Sequence, residues 1–369
     1  MTKFDPVWRS LERQVADGRM PGLVAGIRHR GEIEYFAIGS LAFDTDEPVR
    51  PDTRFRIASL SKPVGAAVVL SMVADGVLGL DDPVARWLPE FAEPRVLVSP
   101  AAPLDQTVPA DRPITVRHLL TMTFGMGASS AEYPVTKALR ALGNGMPLGF
   151  SGDEFMAQLA AIPLAYQPGT QWMYHMGFDV LSVLIGRVAG TPVHAVLKER
   201  ITDPLGLRST SFQADGATLP TAYLPTLEVP EEYDQGFAEP PQFESFSGGL
   251  VSTAEDYLTF LGALADDQVI PRELREQMTS DQLTPEQRAG SDLAGPELSW
   301  GFGVAVNTAV THPWTAVGRY GWSGASGTSG CTDPSRDLTG VVFTQRITTG
   351  TNEEFAYFWG PLAEVVGND

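Results

Sequence analysis

Cysteine is nearly absent: Cys331 stands alone among 369 residues. A single thiol forms no intrachain disulfide and rules out a cysteine-based metal cluster. Lysine is scarce as well. It occurs at Lys3, Lys62, Lys137 and Lys198, and arginine supplies the remaining positive charge. Charged residues make up 19% of the chain, below the roughly 25% usual for globular domains, which argues against a disordered polyelectrolyte. Acidic residues outnumber basic ones, giving a net charge of -19 and a pI near 4.6. Such a surface repels phosphate backbones and anionic lipids, so neither nucleic acid nor membrane is expected as a partner. No run reaches the roughly 18 consecutive apolar residues of a membrane span. The opening MTKFDPVWRSLERQVADG lacks the apolar stretch of a secretion signal and reads as an amphipathic helix. A cytoplasmic location is therefore expected; the oligomeric state is left open.

Hydrophobic residues, at 43%, are sufficient for sizeable cores, and the length suits two domains at about 150 residues each. In the first helix Val7, Leu11 and Val15 share a face, and Gly18 ends it. GLVAGIRHRG and EIEYFAIGSLAF read as two strands joined in a hairpin at Gly31–Glu32. The apolar block PVGAAVVLSMVADGVLGL reads as a helix. From roughly 80 to 235 the pattern is helical and loop-rich. Strand-like runs return in WGFGVAVNT, AVGRYGWSG, SGTSGCTDP and LTGVVFTQR, and NEEFAYFWGPLAEVV closes as a helix. The economical architecture is α/β (α+β): a mostly antiparallel sheet built from residues 1–75 and 236–369, flanked by helices, with residues 76–235 inserted as an all-helical domain.

Ser59 and Lys62 stand three apart in RIASLSKPVG, a spacing that places both on one face of a helix. Pro63 belongs to a first helical turn, since proline has no amide hydrogen to lose there. The pair therefore sits at a helix mouth, where the helix dipole favours an alkoxide and disfavours an ammonium ion. Burial against the following apolar run pushes the lysine further toward the neutral amine. A neutral lysine beside a serine is a general base beside a nucleophile, and the Ser59 amide is placed to donate to an oxyanion. Serine is also a favoured helix cap, and Ser-x-x-Lys is common by chance. Arginine's dominance elsewhere gives weight to a lysine at 62, because lysine can surrender its proton in a pocket and arginine cannot.

Two further stretches offer partners. QPGTQWMYHMGFDV places Tyr174 at the start of a long helix. A phenol there, lowered in pKa by a nearby lysine cation, would carry a proton to a leaving group; a core tyrosine beside Trp172 and Met173 is the plainer reading. RYGWSGASGTSGC crowds small residues at a strand end, as a close backbone approach or an ordinary glycine-rich hairpin requires. GWSGA also approximates the Gly-x-Ser-x-Gly elbow, with Ser323 as nucleophile. That elbow needs a later histidine, and none of His29, His118, His175, His194 and His312 follows Ser323. His175 could serve as a base or metal ligand, but an isolated histidine on a helix is expected to be structural.

Taken in order, Ser59-Leu60-Ser61-Lys62, Tyr174-His175-Met176 and Trp322-Ser323-Gly324 resemble the three active-site elements of the serine β-lactamase and penicillin-binding-protein superfamily. FRIASLSKPV, ITVRHLLTMTFG, GGLVSTAEDYLTFL and GWSGASGTSGCTDP extend the resemblance over nearly the whole chain, closest to the class C β-lactamase-like branch that includes family VIII carboxylesterases. The resemblance implies a β-lactamase/transpeptidase-like fold and an acyl-enzyme on Ser59, with Lys62 and Tyr174 sharing the proton traffic. It implies an oxyanion hole from the amides of Ser59 and Ala325, and substrate contacts from Trp322, Ser323, Gly324 and Met176. No cofactor and no metal are expected. Two departures bear on the substrate. Trp322 stands where β-lactamases usually have a lysine, and Met176 where they usually have an asparagine. Both remove polar handles, so the expected substrate is a small neutral ester, with β-lactam hydrolysis absent or slow. An amidase, D-aminopeptidase, acyltransferase or non-catalytic binding module on the same frame remains an alternative.

Overall fold

The computed structural model describes residues 2–142, 149–230, 237–289, 297–348 and 352–367, the side chains of 352 and 353 excepted. The chain opens with α1 (Asp5–Ala16), then β1 (Gly22–His29) and β2 (Glu32–Gly39). Their hairpin turns at Arg30–Gly31, both at positive φ (51° and 82°), which matches a tight turn to the strand twist. The turn falls one residue earlier than the sequence suggests, because Glu32 already pairs with His29.

After the two-residue strand β3 (Phe55–Arg56) comes α2 (Ser61–Ala74). A small ribbon of β4 (Arg95–Leu97) and β5 (Thr107–Pro109) follows. Next are α3 (Val116–Leu120), α4 (Pro134–Ala141), α5 (Gly152–Ala160), α6 (Gly177–Ala189), α7 (Val193–Leu197) and α8 (Asp203–Leu205). The domain boundary expected at 235–236 lies outside the described residues. Strand β6 (Val251–Ser252) pairs with β3. Helices α9 (Ala254–Ala265), α10 (Arg272–Met278) and α11 (Pro285–Arg288) lead to β7 (Leu298–Trp300), β8 (Ala305–Asn307), β9 (Tyr320–Gly324), β10 (Thr328–Asp333) and β11 (Leu338–Thr344). Helix α12 (Ala356–Gly367) closes the described chain. The stretch WGFGVAVNT, expected as one strand, instead holds only the last residue of β7, then the turn and β8 of a hairpin. It bends at Gly301–Val304, where Gly303 takes φ +74°.

The main sheet has seven strands in the order β2-β1-β11-β10-β9-β8-β7, every pair antiparallel. Strand β11 lies between β1 and β10, so the two ends of the chain are sutured in one sheet. Period-2 alternation sends Leu23, Ala25 and Ile27 to one face, where α1 and α12 cover them with Val7, Leu11, Phe358 and Leu362. Cys331 is buried in this layer. Val24, Val341 and Phe343 face the opposite way, onto Tyr257, Leu258 and Leu261 of α9 and the larger core beyond. Both faces of the central strands are thus dry, which explains their near-continuous apolar runs. Phe343 is fully buried with its ring 5.9 Å from Phe55 and 6.0 Å from Tyr257. Phe343→Ala is expected to lower the unfolding free energy by about 3–5 kcal/mol, read as a fall in the urea midpoint.

Candidate active site

The segment between β3 and α2 builds the first part of the site. Ala58 takes φ +43°, a left-handed conformation costing roughly 1–2 kcal/mol for a non-glycine residue. It opens a 3-10 turn, Ala58–Leu60, that runs directly into α2. Pro63 falls in the first turn of α2, as its missing amide hydrogen requires. Ser59 and Lys62 come together: Lys62 Nζ lies 3.1 Å from Ser59 Oγ, and the lysine has no solvent exposure at all. Ser61 is otherwise engaged, donating to the Ala58 carbonyl and accepting from the Leu250 amide. The Tyr257 hydroxyl fixes the turn by donating to the Leu60 carbonyl at 2.9 Å. Gly65 lets α2 approach the 245–247 segment, since a Cβ there would meet the Phe246 Cβ at 2.5 Å.

Tyr174 precedes α6 rather than beginning it, because the backbone reverses at His175 with φ +92°. The Lys62 ammonium position lies over the Tyr174 ring, 4.6 Å from its centroid. The Tyr174 hydroxyl accepts a 2.6 Å hydrogen bond from Trp322 Nε1. Trp172, Trp300 and Trp322 surround the ring at centroid distances of 5.6–5.9 Å. Burial among them raises the Tyr174 pKa, outweighing the lowering influence of hydrogen bonds with Ser59 and Trp322. The sequence suggested the reverse shift. The aromatic cage desolvates the phenolate, and the neighbouring lysine is itself driven toward neutrality, so no firm cation offsets the loss.

Lys62 Nζ has two further partners, the Ser247 carbonyl at 2.5 Å and His175 Nδ1 at 3.3 Å. Burial pushes its pKa down to about 7, against the opposing charge of Asp179. Asp179, on α6 and without exposure, is raised by burial in turn. Its Oδ1 accepts from Ser245 Oγ at 2.6 Å, and Ser245 Oγ accepts from the Ser247 amide at 3.0 Å. Lys62 and Asp179 thus lie in one buried polar chain, linked through Ser245 and Ser247. Stripping both groups of water costs several kcal/mol per charge, so burial pushes each toward its neutral form.

Strand β9 brings the third part. Gly324–Gly327 forms the β9–β10 turn, closed by the Gly327 amide on the Gly324 carbonyl. Ala325 holds the second position of that turn, whose amide takes no part in the closing bond. The turn is stapled to the approach to Ser59: Thr328 Oγ1 donates to the Ile57 carbonyl at 3.1 Å, and Ser326 Oγ donates to the Arg56 carbonyl. Gly324 is required by this contact, because a Cβ there would sit 2.3 Å from the Ile57 carbonyl oxygen. Its part is a close backbone approach. Ser323 departs from expectation. Strand alternation turns its side chain away from Trp322, onto Ser329 Oγ at 3.2 Å in the layer under Trp359. It is buried there, unfit as either an elbow nucleophile or a side-chain contact for substrate.

Met176 lines a cavity of about 140 Å³ with Gly127, Ala128, Thr136, Leu139 and His175. A larger hollow of about 700 Å³ lies apart, between His194, Arg208 and Glu244; the smaller cavity adjoins the site through His175 and Met176, and neither is lined by Ser59, Lys62 or Tyr174. Sequence reasoning set His175 aside as structural and missed Asp179, Ser245 and Ser247. The left-handed backbone at His175 has no signature in its side-chain type, and the serines lie in a loop some 185 residues from Lys62.

The β-lactamase family model matches residues 8–358. The chain belongs to the β-lactamase family. Two curated relatives are Protein Rv1367c of Mycobacterium tuberculosis, 35% identical over 88% of this chain and 86% of that protein, and Esterase EstB of Burkholderia gladioli, 32% identical over 95% and 91%. Among solved structures, EstCE1, a hydrolase with promiscuous acyltransferase activity, superposes with a TM-score of 0.83 at 26% identity, covering 99% of this chain and 98% of its own. Within this β-lactamase-family frame, the Trp322–Tyr174 hydrogen bond is open to a direct check. Trp322→Phe keeps an aromatic ring but removes the N–H donor. It is expected to lower ester turnover about tenfold, the worth of one hydrogen bond, with the circular dichroism melting midpoint little changed.

Proposed function

We propose that this chain is a serine hydrolase cleaving small, neutral carboxylic esters through an acyl-enzyme on Ser59. The observation that carries the reading is Lys62: a fully buried lysine 3.1 Å from a serine hydroxyl, with a depressed pKa. Neutral Lys62 takes the Ser59 proton as Oγ attacks the ester carbonyl carbon. The amides of Ser59 and Ala325 hold the resulting oxyanion, a stabilisation that grows only as charge develops. Collapse breaks the ester C–O bond. Tyr174, kept a neutral phenol by its aromatic cage, gives its proton to the departing alkoxide and recovers one from Lys62. Water then attacks the acyl carbonyl by the same route in reverse roles, releasing the acid and restoring Ser59.

The esterase activity named for EstB, on a relative aligned over nearly the whole chain, supports the ester class. Trp322 spends its only donor on Tyr174, so this element offers no cation to a carboxylate-bearing substrate. Arg140, beside the small cavity, is paired with Glu132. The acyltransferase activity in the EstCE1 description favours one second reading: capture of the same intermediate by an alcohol in place of water.

A panel of p-nitrophenyl esters, a chromogenic β-lactam and D-aminoacyl amides tests the proposal. Ser59→Ala is expected to lose about 10³-fold or more in kcat/KM, and Lys62→Arg, which keeps charge but cannot act as base, about 10²–10⁴-fold. β-Lactam turnover is expected to be slow or absent. Undiminished ester turnover in Ser59→Ala contradicts the mechanism; strong amide turnover without ester turnover contradicts the substrate class. The pH profile has a defined sign. Neutral Lys62 is the active form, so kcat/KM is expected to rise with pH through a midpoint near 7 and to fall away below it.

A further inference from the structure

We infer that His175 is a positioning residue for Lys62: its Nδ1, together with the Ser247 carbonyl, takes both hydrogens of the neutral amine and so turns the remaining lone pair toward Ser59 Oγ. The inference rests on the proposed role of Lys62 as base. It follows from counting donors. A neutral amine has two N–H groups and one lone pair, whereas the ammonium has three N–H groups. Lys62 Nζ has three neighbours: Ser59 Oγ at 3.1 Å, the Ser247 carbonyl at 2.5 Å and His175 Nδ1 at 3.3 Å. The carbonyl can only accept. The serine hydroxyl can donate or accept. If both amine hydrogens go to Ser247 and His175, the lone pair is left facing the Ser59 hydroxyl, ready to take its proton.

The histidine tautomer then decides whether the base is available. With its hydrogen on Nε2, the ring accepts from Lys62 through Nδ1. With the hydrogen on Nδ1, the ring would donate to the lone pair that Ser59 requires. After proton transfer all three neighbours accept from the ammonium, so the same cradle serves both protonation states without rearranging.

The two acceptors are locked to each other. Ser247 Oγ donates to the His175 carbonyl at 3.0 Å, and the His175 amide is 3.1 Å from Met122 Sδ. The Ser247 amide is held by Ser245 Oγ, which is in turn anchored on Asp179. The backbone at His175, with φ +92°, is a conformation that a histidine adopts only when its surroundings require it. Sequence pattern treats this residue as structural; the geometry gives it a place in the proton array.

Three variants test the inference on a p-nitrophenyl ester. His175→Asn keeps an acceptor at the δ position and tolerates left-handed backbone. His175→Leu keeps bulk without an acceptor, and His175→Gly removes the acceptor without backbone strain. Asn is expected to retain turnover within about tenfold of wild type, whereas Leu and Gly lose about 100-fold in kcat, the scale of a general-base contribution, with KM little changed. Melting midpoints identify any variant that fails to fold, and the glycine variant stands in if leucine at positive φ does not. If Leu or Gly turns over like wild type while Ser59→Ala is inactive, the role of His175 is overturned and the proposed function stands. Equal losses in Asn and Leu also overturn it, since the acceptor would then not be what matters. Undiminished turnover in Ser59→Ala would instead overturn the reading on which the inference rests.

Discussion

The burial of one amine governs this molecule. Lys62 is fully enclosed, and its nitrogen touches Ser59, Ser247 and His175 within 3.3 Å. An ammonium ion there has lost its water and gains only the counter-charge of Asp179, itself driven toward neutrality by burial. Each element of the site follows from housing that nitrogen. Helix α2 is apolar all round because its first turn must carry the lysine into the core. Gly65 is small because the 245–247 segment has to reach the lysine across α2. The left-handed residues Ala58, Met122 and His175 mark where the backbone bends to enclose the site, and strain of this kind persists only where the surrounding structure over-determines it.

The sheet supplies precision. Strand β11 ties the two ends of the chain together, and the β9–β10 turn is stapled to the residues before Ser59 by Ser326 and Thr328. The Ala325 amide, proposed as an oxyanion donor, therefore sits in a stapled turn at a strand end. The aromatic cage around Tyr174 extends from β7 through Trp300 and β9 through Trp322. It keeps the phenol protonated and lines the site with apolar surface. A neutral indole donor, rather than a cation, holds the tyrosine hydroxyl, which is the physical basis for expecting a neutral substrate.

Much of this was legible in the residues themselves. Apolar periodicity placed the sheet at the two ends of the chain, and Pro63 located Ser59 and Lys62 at a helix mouth. The scarcity of lysine in a chain whose other cations are nearly all arginine singled out Lys62. Other features were not legible. WGFGVAVNT reads as a single strand because its glycines look like ordinary small residues; their backbone freedom makes it a hairpin. The expected lowering of the Tyr174 pKa assumed a charged lysine beside it, and it failed because desolvation acts on both groups at once. His175 and Ser247 could not be found from spacing, because their contacts depend on a backbone reversal and on chain segments far apart in sequence. Ser323 was misplaced as a substrate contact because its strand register decides which face its side chain takes.

The scarcity of lysine makes the central claim open to direct measurement. With lysine labelled at the ε-carbon with 13C, a nuclear magnetic resonance titration follows four side chains: Lys3, Lys62, Lys137 and Lys198. One resonance, missing from the Lys62→Arg protein, is expected to titrate with a midpoint near 7. If instead all four titrate near the ordinary lysine value of 10.5, Lys62 is a cation at neutral pH, and the account of a buried neutral base is contradicted.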